Sequence, residues 1–164
     1  MATLIKRTQI QAFLNTAAAS EEATYKIVGN GMTSGSYEYN PQETTETYIV
    51  NDNATTTLDS YQIAFDGEMK CMKGDAIFDY VDTLRFNVAV GDDAKTSVVL
   101  VDTWNGEVGK YRAEKFDCTI SINSYGGDVG VTPTISFKIG INGDPIKGTA
   151  AIAAGTCTFT ADAG

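Results

Sequence analysis

The stretch from Lys110 to Thr149 constrains the fold more than any other. Phe116, Cys118, Ile120 and Ile122 are apolar, while Lys115, Asp117, Thr119, Ser121 and Asn123 between them are polar. A period of two means a strand with one dry and one wet face. After Gly126-Gly127-Asp128 the alternation resumes with Ile135, Phe137, Ile139 and Ile141. Asn142-Gly143-Asp144-Pro145 then reads as a second turn, because Gly and Asp tolerate backbone angles that other residues avoid. A short strand from Ile146 to Ala151 follows. The expectation is an antiparallel meander whose dry face needs a cover, and so a mainly β fold in a single domain spanning 1–164.

One helix can supply that cover. Asp75 precedes AIFDYVDTLRFN and is placed to cap the free amides of the first turn. Ile77, Tyr80, Val81 and Leu84 recur at helical spacing, and Arg85 suits the C-terminal end of the dipole. Three turns do not hold alone in water, so the apolar side must pack on the sheet.

The remaining segments are read in order. Residues 1–9 are polar and basic and are expected to be mobile. Ala12-Phe13-Leu14 fits a helix or a strand. Tyr25 to Val28 alternates and reads as a strand. Residues 32–47 hold few aliphatics but two tyrosines, Tyr37 and Tyr39, which fits either a floppy connection or an arm that docks on a neighbour, since exposed Tyr is favoured at interfaces. Tyr48-Ile49-Val50 reads as a strand. In Thr55–Met69 the apolar side switches between Leu58 and Tyr61, the sign of a bulge or bend. Residues 88–95 form a loop. Val98–Val101 is a short apolar strand closed by Asp102 to Gly106, and Gly155 to Thr160 is the last strand.

Composition removes several classes of chemistry. The chain carries 12 Lys and Arg, 21 Asp and Glu and no His, a net charge of -9. Without His it lacks the commonest general base and metal ligand, and its acidity makes it a poor grip for phosphates. Asp75, Asp79 and Asp82 form a series on one helix face that capping explains, rather than a catalytic or metal-binding set. The turns at Gly126-Gly127-Asp128 and Asn142-Gly143-Asp144 lack the dense oxygen spacing of a calcium loop. No catalytic residues, metal ligands or cofactor motifs are expected. Cys71, Cys118 and Cys157 form no Cys-x-x-Cys pair and read as reduced, buried thiols of a protein that folds in a reducing cytoplasm. The opening residues lack a signal-peptide run, and no segment nears the ~20 apolar residues of a membrane span.

The order of short motifs resembles one family. Gly31-Met32-Thr33-Ser34 is followed by Tyr39-Asn40-Pro41 and Thr47-Tyr48-Ile49. Next come Leu58-Asp59-Ser60-Tyr61, Gly74-Asp75 with Phe78-Asp79, Leu84-Arg85, Tyr111 and Ala113-Glu114-Lys115. Gly126-Gly127-Asp128 and Gly143-Asp144-Pro145 with Gly148-Thr149 complete it. Across residues 7–160 the chain is similar to the tail tube (major tail) proteins of bacteriophages. The resemblance implies an antiparallel β-sandwich or barrel with one helix, and Ala12-Phe13-Leu14 as a strand. Six copies would form a ring, each adding strands to a shared inner barrel, and rings would stack into a hollow tail. Residues 31–47 would be the arm between subunits, with Tyr37, Tyr39, Asn40 and Pro41 as its contact candidates.

The implied partners are copies of the chain itself, then tail terminator, tape-measure and baseplate or tip proteins, with a sheath in contractile tails. DNA would pass through without specific binding, and no membrane is involved. The place of action would be the virion tail, assembled in the host bacterial cytoplasm. A tube from a contractile, bacteriocin-like particle fits the same residues. A monomeric carbohydrate-binding module is the reading from another class, with Trp104, the only Trp, in a loop.

A face assignment follows. If Phe116, Ile120 and Phe137 point to the subunit core under the helix, then Lys115, Asp117, Thr119 and Ser121 are the lumen-facing candidates. Carboxylates lining such a lumen would keep DNA phosphates from sticking, a use for the acidic surplus.

Overall fold

The computed structural model describes residues 1–18 and 20–163. Alternation dictates its strands, and most are paired antiparallel in one eight-stranded sheet. Strand β1 is Ile10–Asn15, β2 Tyr25–Val28, β3 Tyr37–Glu38 and β6 Ala64–Lys70. Three long strands follow, β7 (Lys95–Glu107), β8 (Lys110–Gly126) and β9 (Thr134–Ala153), then β10 (Thr156–Ala161). Strand order is β10-β2-β1-β7-β8-β9-β6-β3, and β10 also pairs with β9. That extra pairing closes β1, β2, β10, β9, β8 and β7 into a barrel of six strands within the one chain. A separate two-stranded sheet joins β4 (Pro41–Glu46) to β5 (Thr55–Tyr61).

Two apolar cores lie on opposite sides of the shared strands. Inside the barrel, Phe13, Tyr25, Val99, Val101, Ala113, Ala150 and Cys157 pack together. Outside it, Leu14, Val98, Phe116, Cys118, Ile120, Ile135, Phe137 and Ile139 pack under helix α1 (Ala76–Phe86) through Ile77, Phe78, Val81 and Leu84. Strand β1 is consequently buried on both sides, with Phe13 and Leu14 both fully covered. Asp75 caps α1 as its position predicts: its Oδ2 accepts from the amide of Phe78 at 3.1 Å. Two polar side chains inside are satisfied. The hydroxyls of Tyr25 and Ser97 lie 3.0 Å apart. Asn15 Oδ1 accepts from the amides of Ala17 and Thr24, pinning the β1–β2 connection.

Three expected element ends are corrected. Residues 142–145 are not a hairpin turn; β9 runs through them. Lys115 pairs with Ile146 and Asp117 with Asn142, so Gly143, Asp144 and Pro145 bulge out opposite Phe116 alone. Gly143 takes φ +72° there, a left-handed conformation that other residues resist. The chemistry that marks a turn serves a wide bulge instead. Strand β7 likewise does not stop at Asp102. Asp102 pairs with Arg112 and Gly106 with Tyr111, leaving residues 103–105 as a second bulge. Tyr48-Ile49-Val50, expected as a strand, lie in the connection between β4 and β5. The connection between β8 and β9 spans residues 127–133, with Gly127 and Asp128 at its start.

The apolar switch read in Thr55–Met69 has a physical counterpart. Gln42 pairs with Ser60 but Glu43 pairs with Leu58, so Asp59 is an extra residue in β5, its carboxylate taken by the Thr44 hydroxyl. The chain then breaks at Gln62-Ile63 before β6 joins the main sheet.

Candidate functional site

Beyond the barrel, one face of the main sheet stays wet. On β8, Ala113 points into the barrel, so the alternation places Lys115, Asp117, Thr119 and Ser121 on the continuation of that same face. Phe116 and Ile120, with Phe137 on β9, take the opposite face and are buried under the helix, as expected. Lys115 sits at the barrel mouth, paired in register with Val99 and Ile146. Asp117 and Ser121 are exposed and Thr119 is partly so.

Neighbouring strands extend this face. Thr119 lies beside Lys95 of β7 and Gly140 of β9, and Ser121 beside Lys138. Lys138 lies beside Asp66 of β6, and Ser136 beside Glu68. Cross-strand hydrogen bonds knit it: Asn142 Nδ2 donates to Thr119 Oγ1 at 2.9 Å, and Ser136 Oγ donates to Glu68 Oε2 at 3.3 Å. The face is therefore contributed by four strands, β7, β8, β9 and β6. Its charges are nearly balanced, with Lys70, Lys95, Lys115 and Lys138 against Asp66, Glu68 and Asp117. This does not match the expected acidic lining. The acidic surplus is concentrated elsewhere, because residues 27–62 contain five carboxylates and no Lys or Arg.

Most of those carboxylates belong to the second feature, the β4–β5 hairpin. Every residue of both strands is exposed. Residues 41–61 carry Glu43, Glu46, Asp52 and Asp59 without a cation. Ile49 and Val50 at the tip are almost wholly in solvent and Tyr48 is half-exposed. The root is firmly tied. Gln62 donates its amide to Tyr39 O at 3.1 Å, Asn40 Nδ2 donates to Gln62 O at 3.1 Å, and the rings of Tyr39 and Tyr61 meet edge to face at 5.9 Å.

Among the four arm candidates the structure draws a distinction. Pro41 opens the hairpin, and Tyr39 and Asn40 form its root. Tyr37 is anchored instead. In β3 it pairs in register with Phe65, and their ring centroids are 5.1 Å apart. Burial pushes its phenol well above its ordinary value, and its hydroxyl has no hydrogen-bond partner among the described residues. An isolated sequence offers no signal that separates an anchoring Tyr from an exposed one two residues on. The arm is also longer than residues 31–47, because β5 forms its returning half.

The third feature is a strand border. Strand β7 begins at Lys95 opposite Thr119, so β8 from Ile120 to Gly126 pairs with β9 alone. Beside this border lies a groove of about 340 Å³ lined by Leu84, Val88, Ala89, Val90, Ile120 and Ile122. Phe86, Val88, Val90, Tyr125, Val129 and Val131 are all exposed. The guanidinium of Arg85 lies 4.0 Å over the ring of Tyr125, tying the helix end to the strand. Sequence reading missed this border, which depends on how far β7 extends.

Among the described residues no group of three or more Cys, Asp and Glu is placed to hold a metal ion, and no helix is long and apolar enough to cross a membrane. Trp104 is 39% exposed, but the guanidinium of Arg112 lies 4.7 Å over its ring while also pairing with Asp102 at 2.7 Å.

No protein-family profile and no curated protein matches the sequence. Solved structures do match the fold. The SPP1 tail tube, determined by solid-state NMR and cryo-EM, aligns at a TM-score of 0.67 and 16% identity, over 91% of this chain and 81% of that one. The tail of an empty GTA particle, refined with C6 helical symmetry, aligns at 0.62 and 12% identity, over 96% of this chain and 100% of that one. The chain has the tail-tube fold.

Proposed function

We propose that this chain is a structural subunit, not an enzyme, that assembles with copies of itself into rings of six stacked as the hollow tube of a virion tail. The observation that carries the reading is a protomer whose barrel is sealed but which leaves a strand border and a whole hairpin uncovered. Open strand borders invite pairing and are seldom left so in monomers. Exposed apolar residues flank this one, as at surfaces that copies bury against each other. The C6 symmetry of the GTA tail supports six copies.

In this arrangement the four-stranded polar face lines the lumen, with Lys115, Asp117, Thr119 and Ser121 among its residues. Twenty-four strands at ~4.8 Å spacing and ~40° tilt close a backbone ring about 48 Å across. Side chains leave about 35–40 Å, room for hydrated duplex DNA. A lining whose Lys residues are nearly all offset by carboxylates offers phosphates little net attraction, since affinity for DNA comes from uncompensated Lys and Arg. DNA thus passes without being held. The hairpin, from its root at Tyr39, Asn40 and Pro41, contacts the next ring.

Terminator, tape-measure and tip proteins would cap and fill such a tube, assembly would occur in the host bacterial cytoplasm, and ejection of the genome would be its use. The carbohydrate-binding alternative is disfavoured because Arg112 already occupies one face of Trp104. Negative-stain microscopy of the purified protein tests the proposal. Six-fold rings or hollow tubes are expected; a monomer at every concentration would overturn it.

A further inference from the structure

The hairpin is a surface without a partner. A two-stranded hairpin is marginal in water unless something covers it, and here both strands are exposed on all sides. Besides neutral polar residues, mostly Thr, it presents carboxylates (Glu43, Glu46, Asp52, Asp59) and exposed apolar groups (Tyr48, Ile49, Val50, Leu58), and no cation. A matching surface must carry cations without carboxylates, next to exposed apolar side chains. The N-terminal stretch fits, with two adjacent cations. Residues 1–20 contain Lys6 and Arg7 and no Asp or Glu. Residues 1–8 are all exposed, and among them Met1, Leu4 and Ile5 present apolar side chains to solvent. Among the other cations, Arg112, Arg85 and Lys95 are already paired with Asp102, Asp82 and Asp92.

We infer that the hairpin of one copy docks on residues 1–10 of a neighbouring copy, its carboxylates facing Lys6 and Arg7 and its apolar tip covering Leu4 and Ile5. This rests on the tube reading and gives the hairpin its receiving surface. The end of the segment is tied to the fold. Arg7 anchors it by donating to Ile10 O at 2.6 Å and to Gly35 O at 3.1 Å, while the Lys6 side chain makes no intramolecular ion pair among the described residues. Opposite charges on the two surfaces set register and orientation, and the contact weakens as salt shortens the ~8 Å screening length of physiological solution.

The consequence is that ring stacking depends on ionic strength more steeply than ring closure, which the apolar β8 border dominates. The test separates the two, with sedimentation velocity counting rings and negative-stain images giving tube length. Lys6→Glu is the first variant, chosen because Arg7 also supports the fold; Glu43→Lys with Glu46→Lys is the second. Each should leave rings intact and shorten tubes about tenfold or more, since like charges set face to face weaken an interface steeply. Combining the three substitutions should restore tubes to within about twofold of the original length. Leu4→Ser with Ile5→Ser should shorten tubes at every salt concentration. Tubes indifferent to both single-sided reversals, or not restored by the combination, would overturn the pairing while leaving the tube reading in place. An original chain that forms no rings would take both down.

Discussion

The barrel and the hairpin are both antiparallel β structure and reach opposite outcomes. In the barrel, Phe13, Val99 and Val101 are wholly buried, and β10 returns to β9 so that the strands close on themselves. In the hairpin, Tyr48, Ile49 and Leu58 find no covering side chains, and all four charges have one sign. The first region is covered by its own chain, whereas the second is left exposed. On the proposed tube reading, a chain divided in this way folds alone before it assembles, and the two processes can be disturbed separately.

The strongest challenge to that division is to replace residues 42–60 with a short turn. The protomer should keep its stability to within about 0.5 kcal/mol, the usual effect of changes away from a core, while tube formation is abolished in negative-stain images. A large fall in the urea midpoint would show that the hairpin supports the fold after all. The converse is Phe137→Ala. Its side chain is fully buried under the helix, so the loss should be about 3–5 kcal/mol, read as a lower urea midpoint whether or not tubes are present. Next is Gly148→Val, at the seam between β9 and β10. A Cβ there would meet Phe159 Cζ at 2.8 Å and Ala161 Cα at 2.9 Å, besides a closer approach to Thr160 O. Main chain cannot easily give way, so a cost of about 1–3 kcal/mol is expected and the barrel should open at that seam first, visible as faster amide exchange in β10.

Alkaline pH provides a gentler test. Burial pushes Cys118 up to about 12 and Cys157 up to about 11, from an ordinary 9.0. The unfolded chain therefore releases these protons at lower pH than the folded one. Stability that is complete below pH 9 should decline between about 9 and 12, by at most about 1.4 kcal/mol per pH unit for each thiol. Urea midpoints at pH 8 and pH 10 check this, and the hairpin, which holds no Cys, should not alter the difference. The smallest effect belongs to the surface. Arg112→Ala breaks an exposed pair with Asp102 and should cost no more than about 1 kcal/mol, measured by a double-mutant cycle with Asp102→Ala.

What the sequence made legible follows the same division. The helix, its Asp75 cap and the alternation that buries Phe116, Ile120 and Phe137 were readable because local pattern and tertiary packing agree. The turn expected at Asn142-Gly143-Asp144-Pro145 was not there, because Gly and Pro also mark bulges, and only the partner strand decides which. Tyr48-Ile49-Val50 read as a strand because they are β-formers, yet their place at an exposed hairpin tip depends on context that local pattern does not carry. The same holds for Tyr37, whose anchoring depends on Phe65, 28 positions away. The balanced charge of the polar face was hidden for a related reason: net charge is a sum over the chain and says nothing about which side of a sheet carries it.

The bulge at Gly143–Pro145 has a mechanical consequence. Because β9 passes through it unbroken, the first half of one strand belongs to the polar sheet and the second half closes the barrel. A pull that tends to part those two halves is carried by covalent bonds along a single chain rather than by rows of hydrogen bonds that can unzip. Under load the two halves are leashed, and they should yield by tilting about that kink before they tear.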